Sequence, residues 1–351
     1  MINYIKKLLF PSKDRNAPSK NGYLESYQEL PCIGKVRGQT LAKSAMLIAA
    51  AGNHNLLLVG PPGEGKTHLA STLPSFLPPL SSHEANTLET LYSEAGYKFH
   101  DKYHRPFRLV HHSTSIAGLI GGYSSLTKGI VPGEITLAHN GVLFLDELTE
   151  FKRETLDALR QPMEAGVIQV TRSGQQQTFP SQFQLIAASN PCKCGYAGTS
   201  HCTCSPYEVR RYLSRISGPI IDRIDMVSRI HPTTKEDLSA IPVANQSKTY
   251  LIMVLQARLI QARRNGPGRY NAHLSYDELL KQTHSKATLH LLSMKDKNPK
   301  FSTRKLIRTL RVARTVADFL SPLETTRTNH VEVALKFVDF DLAEQFMPKQ
   351  S

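Results

Sequence analysis

The 351-residue chain is 40% hydrophobic and 21% charged, which excludes wholesale disorder and sits in the range of soluble globular proteins. Lys and Arg outnumber Asp and Glu by 43 to 29, a formal net charge of +14 that favours a polyanionic partner such as nucleic acid. The best apolar stretch, residues 45–59, is broken by Gly52-Asn53-His54-Asn55, and Lys6 and Lys7 interrupt the apolar start that a signal peptide would need, so a cytoplasmic protein without a membrane span is expected.

In chain order, residues 1–30 hold Pro11, Pro18 and Gly22 among polar side chains and read as a short helix, Ile2 to Phe10, followed by a linker. Leu41, Ala45, Ile48 and Ala49 recur at helical spacing within 39–51. Leu56 to Val59, Phe107 to Val110, Val142 to Leu145 and Phe183 to Ala188 are short apolar runs bounded by turn residues, which predicts buried strands. Helical stretches separate them, so a mainly parallel sheet with helices on both faces is expected. Val167 to Phe179 alternates around Arg172-Ser173-Gly174 and predicts a β-hairpin. After Ile230 strand patterns fade. Arg258, Arg263, Arg264 and Arg269 crowd around Gly266-Pro267-Gly268, a break between helices and an expected cationic surface. From Arg304 to Leu320 an apolar stripe (Leu306, Leu310, Ala313, Ala317, Leu320) lies opposite Arg304, Arg308 and Arg311. The expected organisation is residues 1–30 as helix and linker, 31–230 as an α/β core, and 231–351 as a helical linker and smaller helical lid.

Gly60-Pro61-Pro62-Gly63-Glu64-Gly65-Lys66-Thr67 fits G-x-x-x-x-G-K-[ST] directly after a strand, and the segment runs on through His68 into a helix. Glycines there let backbone N–H groups close around phosphate oxygens. Lys66 would reach the β- and γ-phosphates of ATP, and the Thr67 hydroxyl would bind Mg²⁺. A Gly-Pro turn between strand and helix needs no nucleotide, but Val142-Leu143-Phe144-Leu145-Asp146-Glu147 adds two acids at a strand end. Asp146 suits the Mg²⁺ and Glu147 a general base for an attacking water. Asn190 follows another apolar strand, where it could position that water. Arg223 stands beside Asp222 and Asp225, a setting that reads equally as a local ion pair.

Four of the five cysteines, Cys192, Cys194, Cys202 and Cys204, fall within thirteen residues. That spacing suits a closed, structural Cys₄ Zn²⁺ site, with His201 able to replace one sulfur; four free thiols in a surface loop is the alternative.

The runs Gly52 to Gly63 and Ala138 to Leu148 resemble the AAA+ magnesium-chelatase-like ATPases, and within them the ComM/YifB branch-migration helicases most closely. Gly38-Gln39, Leu159 to Glu164, Asn190 to Tyr196, Arg215 to Pro219 and Arg311 to Asp318 carry the likeness further, over about residues 30 to 345. The resemblance implies a three-layer AAA+ P-loop core with a C-terminal helical lid. It also implies a hexameric ring that hydrolyses ATP to move single-stranded or branched DNA in recombination or natural transformation. Asn190 is then similar to sensor 1, Arg223 to an arginine finger reaching a neighbour's γ-phosphate, and Arg304 to sensor 2 on the lid, aimed at ATP. The Val167 to Phe179 hairpin, with Arg172 near its tip, and an insertion at 113–134 carrying Tyr123 and Lys128 would line the pore and grip DNA phosphates, although each tip also reads as a solvated turn. Glu64 departs from the pattern, standing where Thr or Ser is usual. Relatives of this type carry a Lon-like domain ahead of the ATPase where about 30 residues stand here, so that domain is expected to be missing or supplied by a protein partner. Two other readings stay open: a protein-remodelling ATPase resembling the magnesium-chelatase I subunit, and a nucleotide-switch scaffold with little turnover.

Overall fold

The computed structural model describes residues 30–338, apart from 100, 102, 125–128, 173, 299–300 and 323, together with 346. The helix expected at Ile2–Phe10 and the DNA-contact candidate Lys128 lie outside the described residues. Helix α1 (Thr40–Gly52) turns its apolar side inward and stops at Asn53 in a left-handed conformation, as the helical spacing predicts. Then comes β1 (Leu56–Val59), every residue of which is buried.

Five strands form the main sheet: β1, β2 (Phe107–Val110), β5 (Val142–Leu145), β8 (Gln184–Ser189) and β9 (Met226–Arg229), in the order β2-β5-β8-β1-β9 and all parallel. β5 and β8 are buried throughout, and Val142–Leu145 and Leu185–Ala188 read as apolar runs. The prediction that Phe107–Val110 is a buried strand is corrected: β2 is at the sheet edge, with Phe107 and Arg108 half-buried and Leu109 51% exposed. The edge strand β9 alternates buried Met226 and Ser228 with half-buried Val227 and Arg229, a pattern too short and polar to stand out in the sequence. Two antiparallel hairpins hang beside the sheet, β3 (Gly121–Ser124) with β4 (Gly129–Pro132), and β6 (Val167–Arg172) with β7 (Gln175–Pro180). In the second, Ile168 and Val170 are buried while Val167, Gln169 and Thr171 are exposed, the predicted alternation. The first lies within the glycine-rich insertion, whose sequence gave no strand signal.

Beyond β9 the described residues are helical but for one isolated bridge. Helices α2 (Gln246–Asn265), α3 (Ser285–Lys297), α4 (Thr303–Leu320) and α5 (Thr328–Val338) pack on one another and on α1, sharing a single apolar core with the sheet. The expected cationic surface is corrected in part here. Arg258 stacks on Tyr270, 4.5 Å from the ring centroid, and donates to the Ala50 carbonyl at 2.6 Å. Arg264 pairs with Asp318 at 2.6 Å, and Asp318 also holds Arg314 at 3.1 Å. Asn271 donates to Asp318 at 2.8 Å and to Thr315 at 3.0 Å, and Thr315 meets His54, just before β1, at 2.8 Å. Arg258 and Arg264 thus tie helices to one another instead of facing outward, whereas Arg263 and Arg269 are exposed, as expected.

Arg314 and Asp318 are 2% and 3% exposed, so removing Asp318 leaves Arg314 charged and buried without its carboxylate partner. Asp318→Ala is expected to lower the unfolding free energy by about 3–5 kcal/mol in a denaturant titration, and a loss under about 1 kcal/mol would contradict the assignment.

Candidate functional site

Parallel pairing delivers every strand's C-terminal end to one edge of the sheet, and that edge collects the polar residues. After β1 the chain passes Gly60, where an added Cβ would lie 2.5 Å from the Ile230 carbonyl oxygen, so only glycine fits. Gly65, at φ 76°, then opens the helix Lys66–Ser71. Lys66 folds back over the loop: its Nζ donates to the carbonyls of Gly60 at 2.8 Å and Pro61 at 2.7 Å, and to Asn190 Oδ1 at 3.0 Å. Burial lowers its pKa to about 8, although Asp146, Glu64 and Glu147 pull the other way. Three carbonyl-type acceptors hold an ammonium where anionic phosphate oxygens would replace them. His68 is exposed, in the first turn of the helix.

The Thr67 hydroxyl donates to Asp146 Oδ2 at 2.7 Å, so the two oxygens expected to share a cation already meet. Asp146 Oδ1 accepts the Glu147 N–H at 3.0 Å, and Glu147 sits in the left-handed region at φ 53°. That backbone is costly for a non-glycine residue. It turns the Glu147 carboxylate toward His112, whose Nδ1 lies 2.9 Å from Oε2. His111 and His112 follow β2 as Asp146 and Glu147 follow β5, and the same strand-end logic would have found them in the sequence. Lys66, Thr67, Asp146, Glu147 and Asn190 thus come together as expected. The donor set, a backbone loop with free amides and a hydroxyl–carboxylate pair, fits a Mg²⁺-bound nucleotide.

Glu64 points elsewhere. Its Oε2 accepts the Thr233 N–H at 2.8 Å and the Thr233 hydroxyl at 2.7 Å. Pro62 packs against the cysteine loop, since a Cβ on Gly195 would lie 2.6 Å from Pro62 Cδ. In that loop the Sγ atoms of Cys192 and Cys194 are 3.3 Å apart, those of Cys192 and Cys202 3.9 Å, and those of Cys194 and Cys202 3.7 Å. Cys204 completes a group whose ligand atoms all lie within 4.8 Å of one another. Four thiolates about 2.3 Å from a tetrahedral ion would be spaced by about 3.8 Å, so the loop fits zinc. Burial pushes the Cys192 thiol up, whereas at Cys194 the N–H groups of Tyr196 and Thr203 outweigh burial and hold it down.

Arg223 and Arg304 are at the other edge. Arg223 immediately precedes Ile224-Asp225 and β9, on the N-terminal side of a strand whose Met226 pairs with Leu56. The Asn55 side chain donates to the Arg223 carbonyl at 2.8 Å and accepts the Leu185 N–H at 2.8 Å, while Asp225 accepts the Asn55 N–H at 2.9 Å. Arg223 pairs with Glu164, and Arg304, its side chain 70% exposed, pairs with Asp222. Arg308 donates to the carbonyls of Ile221 at 3.0 Å and Ile224 at 2.7 Å, and Arg311 to that of Leu274 at 2.9 Å. Arg304 therefore lies away from this chain's own phosphate loop. Of the DNA-contact candidates, Tyr123 is 44% exposed on β3 and Arg172 is exposed at the end of β6. Their hairpins adjoin, a Cβ on Gly121 falling 3.4 Å from Val170.

Comparison with known proteins agrees with this geometry. Residues 32–238 match the family model "Magnesium chelatase, subunit ChlI", and 244–338 match its C-terminal companion. The chain is 42% identical over 286 residues to Competence protein ComM of Haemophilus influenzae, covering 80% of this chain and 55% of that protein. It is 40% identical over 322 residues to uncharacterized protein YifB of Escherichia coli, covering 88% and 60%. DNA replication licensing factor Mcm6 of Drosophila melanogaster is 24% identical over 221 residues, 62% of this chain and 22% of Mcm6. The chain thus spans less than two thirds of the length of the ComM and YifB relatives.

Because Thr233 holds the Glu64 carboxylate, Glu64→Gln is expected to change nucleotide affinity by less than about tenfold, about 1.4 kcal/mol, in a fluorescent-nucleotide titration. A larger gain in affinity would mean that the carboxylate opposes the phosphates after all.

Proposed function

The chain belongs to the magnesium chelatase ChlI family of AAA+ proteins, and from that membership we propose that it is an ATP-hydrolysing motor, working as a hexameric ring on DNA in the manner of a ComM-like branch-migration helicase. The observation that carries the reading is the division of polar residues between two edges of one sheet. At the C-terminal edge Lys66 and the loop amides hold the β- and γ-phosphates, Asn190 orients a water, and Glu147 takes its proton as it attacks. Mg²⁺, held by Thr67 and Asp146, supplies charge neutralisation between the phosphates when bound. At the N-terminal edge Arg223 and Arg304 have no route to that phosphate loop across the width of the sheet. They serve the nucleotide of a neighbouring subunit, leaving Glu164 and Asp222 to do so. A head-to-tail contact of this kind closes into a ring.

Zn²⁺ at Cys192, Cys194, Cys202 and Cys204 is structural in this scheme. A closed set leaves no position for water, and the loop instead braces Pro62 of the phosphate loop. DNA as the track is supported by the +14 charge and by the adjoining hairpins that carry Tyr123 and Arg172. The name of the Mcm6 relatives points the same way.

Arg223→Ala is expected to keep nucleotide affinity and lose about 10³-fold or more in ATPase rate in the assembled protein, because an arginine at the transferring phosphoryl is worth about that much. Wild-type turnover would remove the assignment. ATPase rate and oligomer size measured with no DNA, single-stranded DNA and branched DNA test the track: turnover should rise with DNA and the effect should fall steeply with salt. Stimulation only by a protein partner would favour remodelling instead, and binding without turnover would favour a nucleotide switch. Protein purified without chelator should carry close to one equivalent of zinc, and less than about half an equivalent counts against the Cys₄ site.

A further inference from the structure

At the catalytic edge, His111 and His112 have no part in the scheme above, yet they stand against its base. Their ring centroids are 4.0 Å apart. One ligand atom from each of His111, His112 and Glu147 lies within 4.8 Å of the other two. His112 Nδ1 is buried and makes no hydrogen bond among the described residues, although Glu147 Oε2 is 2.9 Å away. Two ligands each about 2.1 Å from a tetrahedral ion are about 3.4 Å apart, so His112 Nδ1 and Glu147 Oε2 need to part by about 0.5 Å to share one cation. His111 Nδ1 lies 2.9 Å from the Ser113 hydroxyl and accepts the Ser113 N–H at 3.4 Å, contacts that fix the orientation of the ring. His111 and Glu147 are exposed and His112 is half-buried, which gives an ion access from solvent.

We propose that His111, His112 and Glu147 form a second metal site, selective for a divalent transition-metal ion of the zinc class and separate from the Mg²⁺ position at Thr67 and Asp146. Ligand chemistry separates the two. Mg²⁺ demands oxygen donors in near-octahedral order, whereas two imidazoles and a carboxylate suit Zn²⁺, Ni²⁺ or Cu²⁺. Glu147 bound to such an ion cannot take a proton from water, so occupancy stops turnover. This consequence rests on Glu147 being the base; the metal site itself does not.

The test uses the full chain in Mg²⁺-containing buffer with Zn²⁺ as the probe, counting bound metal at equilibrium and assaying ATPase in parallel. Wild type is expected to bind one equivalent more than His112→Ala at micromolar free Zn²⁺. His111→Ala should weaken that equivalent by at least the about 10- to 100-fold that loss of an outer-shell partner costs. Cys194→Ser, which alters the cysteine loop alone, should leave it in place. Equal zinc content in wild type and both histidine variants overturns the site. ATPase of wild type should fall as this equivalent fills and return on chelation; a filled site with undiminished turnover overturns the inhibitory role. Failure of the underlying reading is distinguishable, because Glu147→Gln would then keep its turnover in Mg²⁺ buffer freed of Zn²⁺.

Discussion

Parallel pairing of β1 with β8 on one side and β9 on the other is the constraint on which the rest depends. It forces everything that follows a strand to one edge and everything that precedes a strand to the other. Lys66, Asp146, Glu147 and Asn190 share the first edge, and Arg223 is bound to the second by Asn55. The strands between are fully buried and closely packed, so they cannot bend to bring the two edges together. A catalytic set that needs both edges has to be assembled from two copies.

Around that sheet, two attachments stiffen what a lone phosphate loop would leave loose. The cysteine loop abuts Pro62, and the Thr315–His54 contact ties α4 to the residue before Asn55 and β1. Burial lowers the His54 pKa to about 3, and nearby Arg311 and His273 act in the same direction. The ring therefore stays neutral through the physiological range, and its contact with Thr315 is insensitive to pH there. The helical part and the edge that carries Arg223 are linked through Asp222, Ile221 and Ile224, which receive Arg304 and Arg308. Movement of the helices would thus be felt at Arg223.

Much of this was legible in the sequence, and the exceptions have physical causes. Strands buried on both faces read as continuous apolar runs, so Leu56–Val59 and Val142–Leu145 stood out, and the phosphate loop and acid pair followed from their positions after strands. Met226–Arg229 did not, because an edge strand ending in Ser and Arg lacks that run. The β3–β4 hairpin hid among glycines. Arginine roles were the least legible. Arg264 finds Asp318 across 54 residues of sequence, and nothing local distinguishes it from an outward-facing DNA contact. Arg304 pairs with Asp222 across 82 residues of sequence, a partner that no local pattern marks. His111 and His112 follow β2, a short edge strand holding Arg108, and lack the fully apolar run that marks Asp146 and Glu147.

A split site makes one demand that no single-subunit arrangement makes. Arg223→Ala protein keeps an intact phosphate edge, and Glu147→Gln protein keeps an intact finger edge. Each alone should be inactive. Mixed in equal amounts and allowed to exchange, they should regain ATPase toward about a quarter of wild type, the share of interfaces that join one good edge to the other. No recovery in assemblies shown to contain both proteins would contradict the account.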